Sequence, residues 1–193
     1  MKHHLITAVF ALALALPLQA SERYEIDTEG MHAFVQFKIS HLGYSWLYGR
    51  FNDFEGEFTF DPESPENSAV QATIQTASVD TNHEERDEHL RSDDFLDVEN
   101  HPEATFESTG FERLGEDRYR MTGEFTLRGV SREIEIDVTQ IGAGEDPWGG
   151  FRRGFQGRTE LPLEFFGIDY DLGPAAEEVE IILSIEGVRQ EDS

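Results

Sequence analysis

The residues best suited to chemistry lie in one acidic segment, residues 83–89. If this segment is helical, His83 with Asp87 and Glu85 with His89 have the four-residue spacing that places two side chains on one face. Imidazole and carboxylate groups at this spacing can hold a divalent metal ion. The two pairs lie on adjacent faces, however, and such spacings arise easily in a chain with 40 acidic residues. We therefore expect a solvated helix face and no metal site.

The other histidines and acids form no recognisable catalytic motif. His32 and His41 flank one apolar segment and His101 precedes Pro102, and isolated histidines beside apolar strands are more often structural than catalytic. The chain has no cysteine, which excludes thiol chemistry, and no phosphate-loop, serine-hydrolase, zinc-protease or dinucleotide-binding motif. A glycosidase would need one pair of carboxylates, and none stands out among so many. The sequence predicts no catalytic residue and no cofactor, and a hydrolase that uses histidine and acidic groups is a minor alternative.

The overall charge restricts the possible partners. The chain of 193 residues carries 40 acidic and 15 basic residues, which gives a net charge of −25. Nucleic acids bind positive surfaces, so the sequence predicts no nucleic-acid partner, and an anionic membrane surface would repel the chain as well. With 38% hydrophobic residues, including 15 phenylalanines, the chain can still fill an apolar interior.

The first twenty residues have the pattern of a secretory signal peptide. Lys2 is followed by an apolar stretch over residues 5–18, and Ala20 precedes the polar Ser21. Pro17 and the short apolar stretch argue against a membrane anchor, which needs about 20 apolar residues. We predict secretion, cleavage after residue 20, and a single folded domain over residues 21–193.

The elements that must position the remaining side chains are short strands with one apolar face. Val35, Phe37 and Ile39 alternate with polar residues, as expected for a strand that is buried on one side only. Turn-forming residues separate such segments. The same alternation recurs at residues 54–60, 70–75, 104–108, 119–125, 133–138 and 178–186.

Residues 82–97 lack this alternation and predict the only helix. Asn82 and Glu85 have the spacing of an N-terminal capping pair, and Leu90 and Phe95 are the expected inward contacts. About eight strands with one apolar face each must curl around that face, as a closed barrel or as two packed sheets. The sequence therefore predicts an all-β, antiparallel fold with one flanking α-helix. An outer-membrane barrel is disfavoured because one face of each strand is charged and could not meet lipid.

The predicted interior has small residues between large ones. Gly56, Ala72, Ala104 and Gly123 fall at inward positions, and we expect them to leave room in the wall. An apolar cavity of this kind would suit a lipid-like molecule, at roughly 0.8 kcal/mol for each CH₂ group removed from water. The alternative is a fully packed core, as in many small barrels.

Several motifs follow one another in a fixed order, at residues 32–43, 49–56, 78–81, 89–95 and 123–130. Together they resemble the YceI-like family of polyisoprenoid-binding periplasmic proteins, and the resemblance covers residues 24–187. It implies a lipocalin-like, extended antiparallel barrel of about eight strands with a helix packed beside it. It also implies a long hydrophobic channel for an isoprenoid or similar amphiphile, no cofactor, and the ability of family members to form homodimers.

The resemblance also carries over a set of channel residues. His41, Trp46 and Tyr48 would lie near a mouth. One difference from the family is that Leu161, Pro162 and Leu163 precede residues 164–168, where an arginine is common, so the head-group end of the site is expected to differ. The residues carried over to the ligand-binding channel are Val35, Phe37, Ile39, His41, Phe58, Phe106, Met121, Phe125, Ile181 and Leu183.

The leading hypothesis is a periplasmic carrier or store that sequesters a polyisoprenoid or an isoprenoid quinone without catalysis. A binder of fatty acids or fatty amides is the first alternative. A hydrolase that uses surface histidines and acids is the second, and a structural stress protein with a filled core is the third.

Overall fold

The computed structural model describes residues 21–191 as eleven strands and one α-helix. The predicted signal peptide, residues 1–20, lies outside the described residues. The strands are β1 (Glu22–Ile26), β2 (Phe34–His41), β3 (Ser45–Phe51), β4 (Phe54–Phe60), β5 (Ala69–Gln75), β6 (Val79–Asp80), β7 (Glu103–Arg113), β8 (Arg118–Leu127), β9 (Val130–Glu145), β10 (Phe151–Pro162) and β11 (Glu178–Arg189), and the helix is α1 (Glu84–Arg91).

The strands form one closed antiparallel sheet. Strand β11 pairs with β1 near its C-terminal end and with β2 nearer its N-terminal end, so β1 and β2 act as one interrupted barrel strand. In the same way β3 and β4 act as one barrel strand. Strand β3 pairs with β2 and β6, and β4 pairs with β1 and β5. Counted so, the described residues form an eight-stranded barrel that closes between its first and last strands. The predicted fold class and strand number are confirmed, and closure leaves few unpaired sheet edges.

The barrel has an apolar interior because residues alternate across its wall. In β2, Val35 and Phe37 are buried while Gln36 is exposed. Hydrophobic residues cluster at two levels along the barrel, one around Tyr24 and Phe60 and the other around Phe37 and Val79. The barrel end at the start of β1 carries the loops that join β4 to β5, β7 to β8 and β9 to β10. The other end is covered by α1 and residues 163–177.

Helix α1 is shorter than the predicted segment 82–97. It begins after His83, whose Nδ1 accepts a hydrogen bond from the Arg86 N–H (3.3 Å), so His83 rather than Asn82 is the N-cap. Asn82 has a left-handed backbone (φ 61°) and lies outside the helix. After Arg91 the chain continues in tight turns through residue 100. The predicted inward contacts are correct, since Leu90 packs against the second hydrophobic cluster and Phe95 is buried.

None of the helices in residues 21–191 has the length and apolar character needed to cross a membrane.

Candidate functional site

The barrel encloses one large apolar cavity of about 460 Å³. Its wall is formed by the inner faces of the strands, by Leu90 of α1, and by residues 163–172. This volume lies within the range of about 300–1,000 Å³ that is common for small-molecule sites. Almost every side chain on the wall is apolar, so the cavity is suited to a hydrocarbon chain and offers few partners to a polar molecule.

All ten residues predicted for the channel lie on the wall of this cavity. Strand alternation explains the agreement, since every second residue of β2, β4, β7, β8 and β11 points inward. Whether they contact a ligand stays a prediction. These residues are Val35, Phe37, Ile39, His41, Phe58, Phe106, Met121, Phe125, Ile181 and Leu183.

An aromatic plug closes the end of the barrel near the N-terminus of β1. Tyr24 and Phe58 stack at 4.8 Å between ring centroids, and Phe155 meets the edges of Phe58 (5.6 Å) and Phe60 (5.2 Å). Phe60 also packs edge to face against Tyr119 at 5.7 Å. Such pairs contribute about 0.5–1.5 kcal/mol each beyond the area they bury. We use the term aromatic plug for these five residues.

Arg153 lies buried behind the aromatic plug. Its guanidinium donates hydrogen bonds to the Tyr24 hydroxyl (3.1 Å), the Gln140 side-chain oxygen (3.2 Å) and a Glu22 carboxylate oxygen (3.2 Å). It also lies 4.7 Å from the centroid of the Phe60 ring. Burial alone would raise the pKa of Glu22, but hydrogen bonds from Tyr24, Arg189 and Arg153 lower it. Arg153 therefore neutralises an acid that would otherwise be costly at the closed end.

The opposite end of the cavity, which we call the mouth, carries the ionisable side chains of the wall. It is bounded by the turn at residues 42–44, by α1 and by residues 169–176. His89 faces the cavity, contacts the Asp94 carboxylate (2.9 Å) and packs against the Tyr170 ring at 5.1 Å. Arg86 donates to the Thr81 hydroxyl (2.7 Å) and carbonyl (2.8 Å). The cavity is thus mostly apolar along its length and has ionisable groups at one end, an arrangement that suits an amphiphile.

A sequence model of the YceI-like domain matches residues 24–187. The chain belongs to the YceI-like family. A UPF0312 protein of Azotobacter vinelandii (strain DJ / ATCC BAA-1303) is 59% identical to it over 167 residues, which cover 86% of this chain and 87% of that protein. A UPF0312 protein of Ectopseudomonas mendocina (strain ymp) is 55% identical over 190 residues, covering 98% and 100%. The family predicted from the motifs is confirmed.

Solved structures share the fold of this YceI-like protein. BcnA of Burkholderia cenocepacia superposes with a TM-score of 0.74 at 24% identity, covering 83% of this chain and 98% of BcnA. A YceI protein of Campylobacter jejuni gives 0.72 at 29% identity, covering 80% and 91%. A polyisoprenoid binding domain from Saccharophagus degradans, implicated in plant cell wall breakdown, gives 0.64 at 16% identity, covering 86% and 98%.

The expectation that Gly56 and Gly123 leave room in the wall of this YceI-like barrel is wrong. A Cβ atom on Gly123 would lie 2.4 Å from the Phe106 ring, and one on Gly56 would lie 2.9 Å from Ile26 Cδ1. Neighbouring side chains already occupy the space beside these glycines, so none of it is left for a ligand. Ala72 and Ala104 do line the cavity.

Two aromatic residues expected near the mouth face away from the cavity. Trp46 and Tyr48 lie on the outer side of β3, whereas Leu47 between them lines the cavity. Sequence reasoning also missed Phe166, Ile168 and other wall residues in the segment 163–172. That segment is a 3-10 turn (Leu163–Phe166) followed by loop, and it carries no strand periodicity that could have revealed its inward side chains.

The acidic segment of α1 does not bring two free metal ligands together. The Asp87 carboxylate is buried and accepts hydrogen bonds from the Thr81 N–H and hydroxyl, while His83 caps the helix. His89 is paired with Asp94 rather than with Glu85.

A second cluster of possible metal ligands lies on the barrel exterior. Asp27, His32 and Glu186 have ligand atoms within 4.8 Å of one another. The Arg152 guanidinium already donates hydrogen bonds to both carboxylates, so its positive charge stands where a metal ion would bind.

Proposed function

We propose that this YceI-like protein is a periplasmic carrier that holds the tail of an isoprenoid-type lipid in its barrel and makes or breaks no bond. The observation that carries the proposal is the apolar cavity of about 460 Å³, with an aromatic plug at one end and polar groups at the other. Each CH₂ group moved from water into such a cavity contributes roughly 0.8 kcal/mol. A long hydrocarbon tail therefore provides the affinity, and the mouth accommodates a polar head.

Two further observations support the choice of lipid and location. The fold is shared with a domain described as polyisoprenoid-binding. The pattern of Lys2 and the apolar residues 5–18 is typical of a secretory signal peptide, which supports export from the cytoplasm. The strongly negative exterior would keep a protein–lipid complex dissolved in the aqueous compartment.

We propose binding without catalysis because the polar side chains at the mouth are held by other residues of the protein. Arg86 is held by Thr81, and His89 is held by Asp94 and packs against Phe95 and Tyr170. These contacts fix the side chains at the rim of an apolar cavity. Such groups can bind a polar head, while the interior that would surround the tail offers nothing reactive to it.

The proposal predicts that Met121→Trp prevents lipid binding. Met121 is buried on the cavity wall in the middle of β8, and a tryptophan there would project into the space that a tail needs. The purified, delipidated protein would be mixed with a ubiquinone or polyprenol, and bound lipid counted by native mass spectrometry. We expect at least a roughly tenfold loss of affinity.

The matched control is Glu124→Trp, on the exposed face of the same strand. It should bind as the unmodified protein does. If a folded Met121→Trp variant, checked by its urea unfolding curve, binds lipid as well as this control, the cavity is not the lipid site. Binding of fatty acids or fatty amides in place of isoprenoids would support the alternative ligand class.

A further inference from the structure

The β2–β3 hairpin interrupts the acidic character of this protein. About one residue in five is acidic in the whole chain, yet residues 30–52 contain no aspartate or glutamate. The same stretch contains Lys38 and Arg50. Its surface therefore lacks the negative charge that would repel this protein from most other surfaces.

The hairpin also exposes large apolar and aromatic side chains beside the mouth. Leu42 is 57% exposed, Tyr44 86%, and Trp46 and Tyr48 59% each. His41, which precedes Leu42, lines the cavity, and Leu42 approaches residue 173 across the mouth. Residues 44, 46 and 48 alternate on one side of the hairpin, and we call these three side chains, with Leu42 at the tip, the aromatic rim. Exposed apolar surface of this kind marks a site of interaction.

The backbone at the hairpin tip gives no structural reason for a leucine there. Leu42 and Gly43 both have left-handed backbones (φ 54° and 76°), as in the turns that suit the twist of a hairpin. Asparagine or glycine would adopt this conformation at lower cost. Leu42 approaches residue 173 with part of its side chain, yet it remains 57% exposed and its backbone is unfavourable for leucine. The exposed part is best explained by a contact outside the protein.

Two acids on the strands beside the aromatic rim, Glu180 of β11 and Asp80 of β6, are already paired with cations. Glu180 accepts hydrogen bonds from Lys38 and from Arg158, and Asp80 pairs with Arg50 at 3.2 Å. The Lys38 ammonium lies 4.6 Å from the Trp46 ring centroid. The rim thus combines aromatic rings and an ammonium group, and the two acids on the adjoining strands are neutralised.

We propose that the aromatic rim docks onto the surface of a zwitterionic lipid bilayer, with the mouth beside the membrane. Tryptophan and tyrosine favour the interface between headgroups and acyl chains, where one part of the ring is apolar and another is hydrated. A net charge of −25 opposes both anionic membranes and a second copy of the same chain, so a bilayer without net charge is the compatible surface. This proposal rests on the proposed carrier function in one respect: the carrier function supplies the purpose of docking, which is to load or release lipid.

Vesicle flotation tests this proposal with a matched pair of variants. The protein without its predicted signal peptide, residues 21–193, would be mixed with phosphatidylcholine vesicles. The bound fraction would be compared with that of Tyr44→Ser/Trp46→Ser. The control is Ile141→Ser/Trp148→Ser, which removes two equally exposed apolar residues (69% and 78%) from the β9–β10 hairpin. We expect the rim variant to lose vesicle binding about tenfold or more and the control to retain it.

Fluorescence gives a second, independent measurement, because the described residues contain only two tryptophans, Trp46 and Trp148. In a Trp148→Phe background, Trp46 emission should shift to shorter wavelength on vesicles and be quenched by brominated phosphatidylcholine. In a Trp46→Phe background, Trp148 emission should not change. The opposite pattern, or flotation lost equally in both double variants, would overturn the proposal.

Two other outcomes separate this proposal from the carrier function. If the protein contains lipid by native mass spectrometry but never floats with vesicles, docking is wrong and the carrier function stands. If it floats through the rim but takes up no lipid, docking stands and the carrier function is wrong. A concentration-dependent dimer that the rim variant abolishes, without vesicle binding, would show that the rim contacts a second copy and would overturn the membrane assignment.

Discussion

Arg153 places a positive charge inside the closed end of the barrel, behind the aromatic plug. It is 6% exposed and is held by three side-chain hydrogen bonds, including one to the Glu22 carboxylate. A buried charge is tolerated when its partners surround it, and removing one partner leaves the other uncompensated. Arg153 therefore fixes the bottom of the cavity without lining it.

We expect Arg153→Met to lower the free energy of unfolding by about 2–4 kcal/mol, because Glu22 and the Tyr24 hydroxyl lose a partner. Urea unfolding measures the change. Arg158→Met is the control, since Arg158 is half exposed and its partner Glu180 keeps Lys38. That variant should lose less than about 1 kcal/mol. Equal losses in the two variants would show that Arg153 has no special structural role.

Asp27 makes the protein's stability depend on acidic pH. Hydrogen bonding with His32 and from Arg152 holds the pKa of Asp27 at about 2, against an ordinary value of 3.8 and against the opposing effect of burial. Because the folded-state pKa is depressed, the stabilisation is complete above about pH 4 and is lost as the pH falls toward 2. Asp27→Asn should therefore be less stable at neutral pH and should lose less stability between pH 4 and pH 2.

Unfolding curves at several pH values test this expectation. The control is Glu29→Gln, which changes an exposed acid in the same loop that has no ion pair among residues 21–191. If Asp27→Asn and Glu29→Gln have the same pH profile, the ion pairs around Arg152 do not contribute to stability.

At the scale of elements, glycines on the inner face allow aromatic rings to lie flat against the wall. Gly123 lies beneath the Phe106 ring and Gly49 beneath the Phe37 ring. Each pair joins neighbouring strands, as in the contact between β7 and β8. The rings thereby shape the cavity while the backbone passes close behind them.

Gly123→Ala should destabilise the barrel by about 1–3 kcal/mol, because its Cβ would lie 2.4 Å from the Phe106 ring and push that ring toward the cavity. Lipid binding should fall with it. Gly144→Ala is the control, since nothing lies within 4 Å of its added Cβ. Urea unfolding of both variants measures the difference. An unchanged free energy of unfolding in Gly123→Ala would mean that the Phe106 ring moves aside freely.

Alternation along the strands predicted which residues line the cavity, but not how the space between them is filled. Gly56 and Gly123 are correctly placed inward, yet a sequence cannot show that Phe106 of the neighbouring strand β7 covers Gly123. The helix cap was wrong for a similar reason, because the left-handed backbone of Asn82 depends on contacts that a capping pattern does not include. The wall residues in the segment 163–172 had no period to reveal them.

At the scale of the whole molecule, the barrel was predictable and the difference between its two ends was not. Strands with one charged face and one apolar face must enclose the apolar face, whatever their exact register. The closed end depends on which rings meet across several strands, such as Tyr24, Phe60 and Phe155. The mouth depends on how α1 and residues 163–177 cover the other end. Both are tertiary features that appear only once register and loop paths are known.

The most direct test of the carrier proposal is native mass spectrometry of the protein purified from the cells that produce it, followed by organic extraction of the bound molecule. The account predicts one discrete added mass per chain that extracts as an isoprenoid-tailed lipid and is missing from Met121→Trp. It also predicts that lipid-loaded protein unfolds at a higher temperature than the empty form. A protein that is isolated empty, takes up no lipid when offered it, and unfolds at the same temperature with and without lipid would contradict the account.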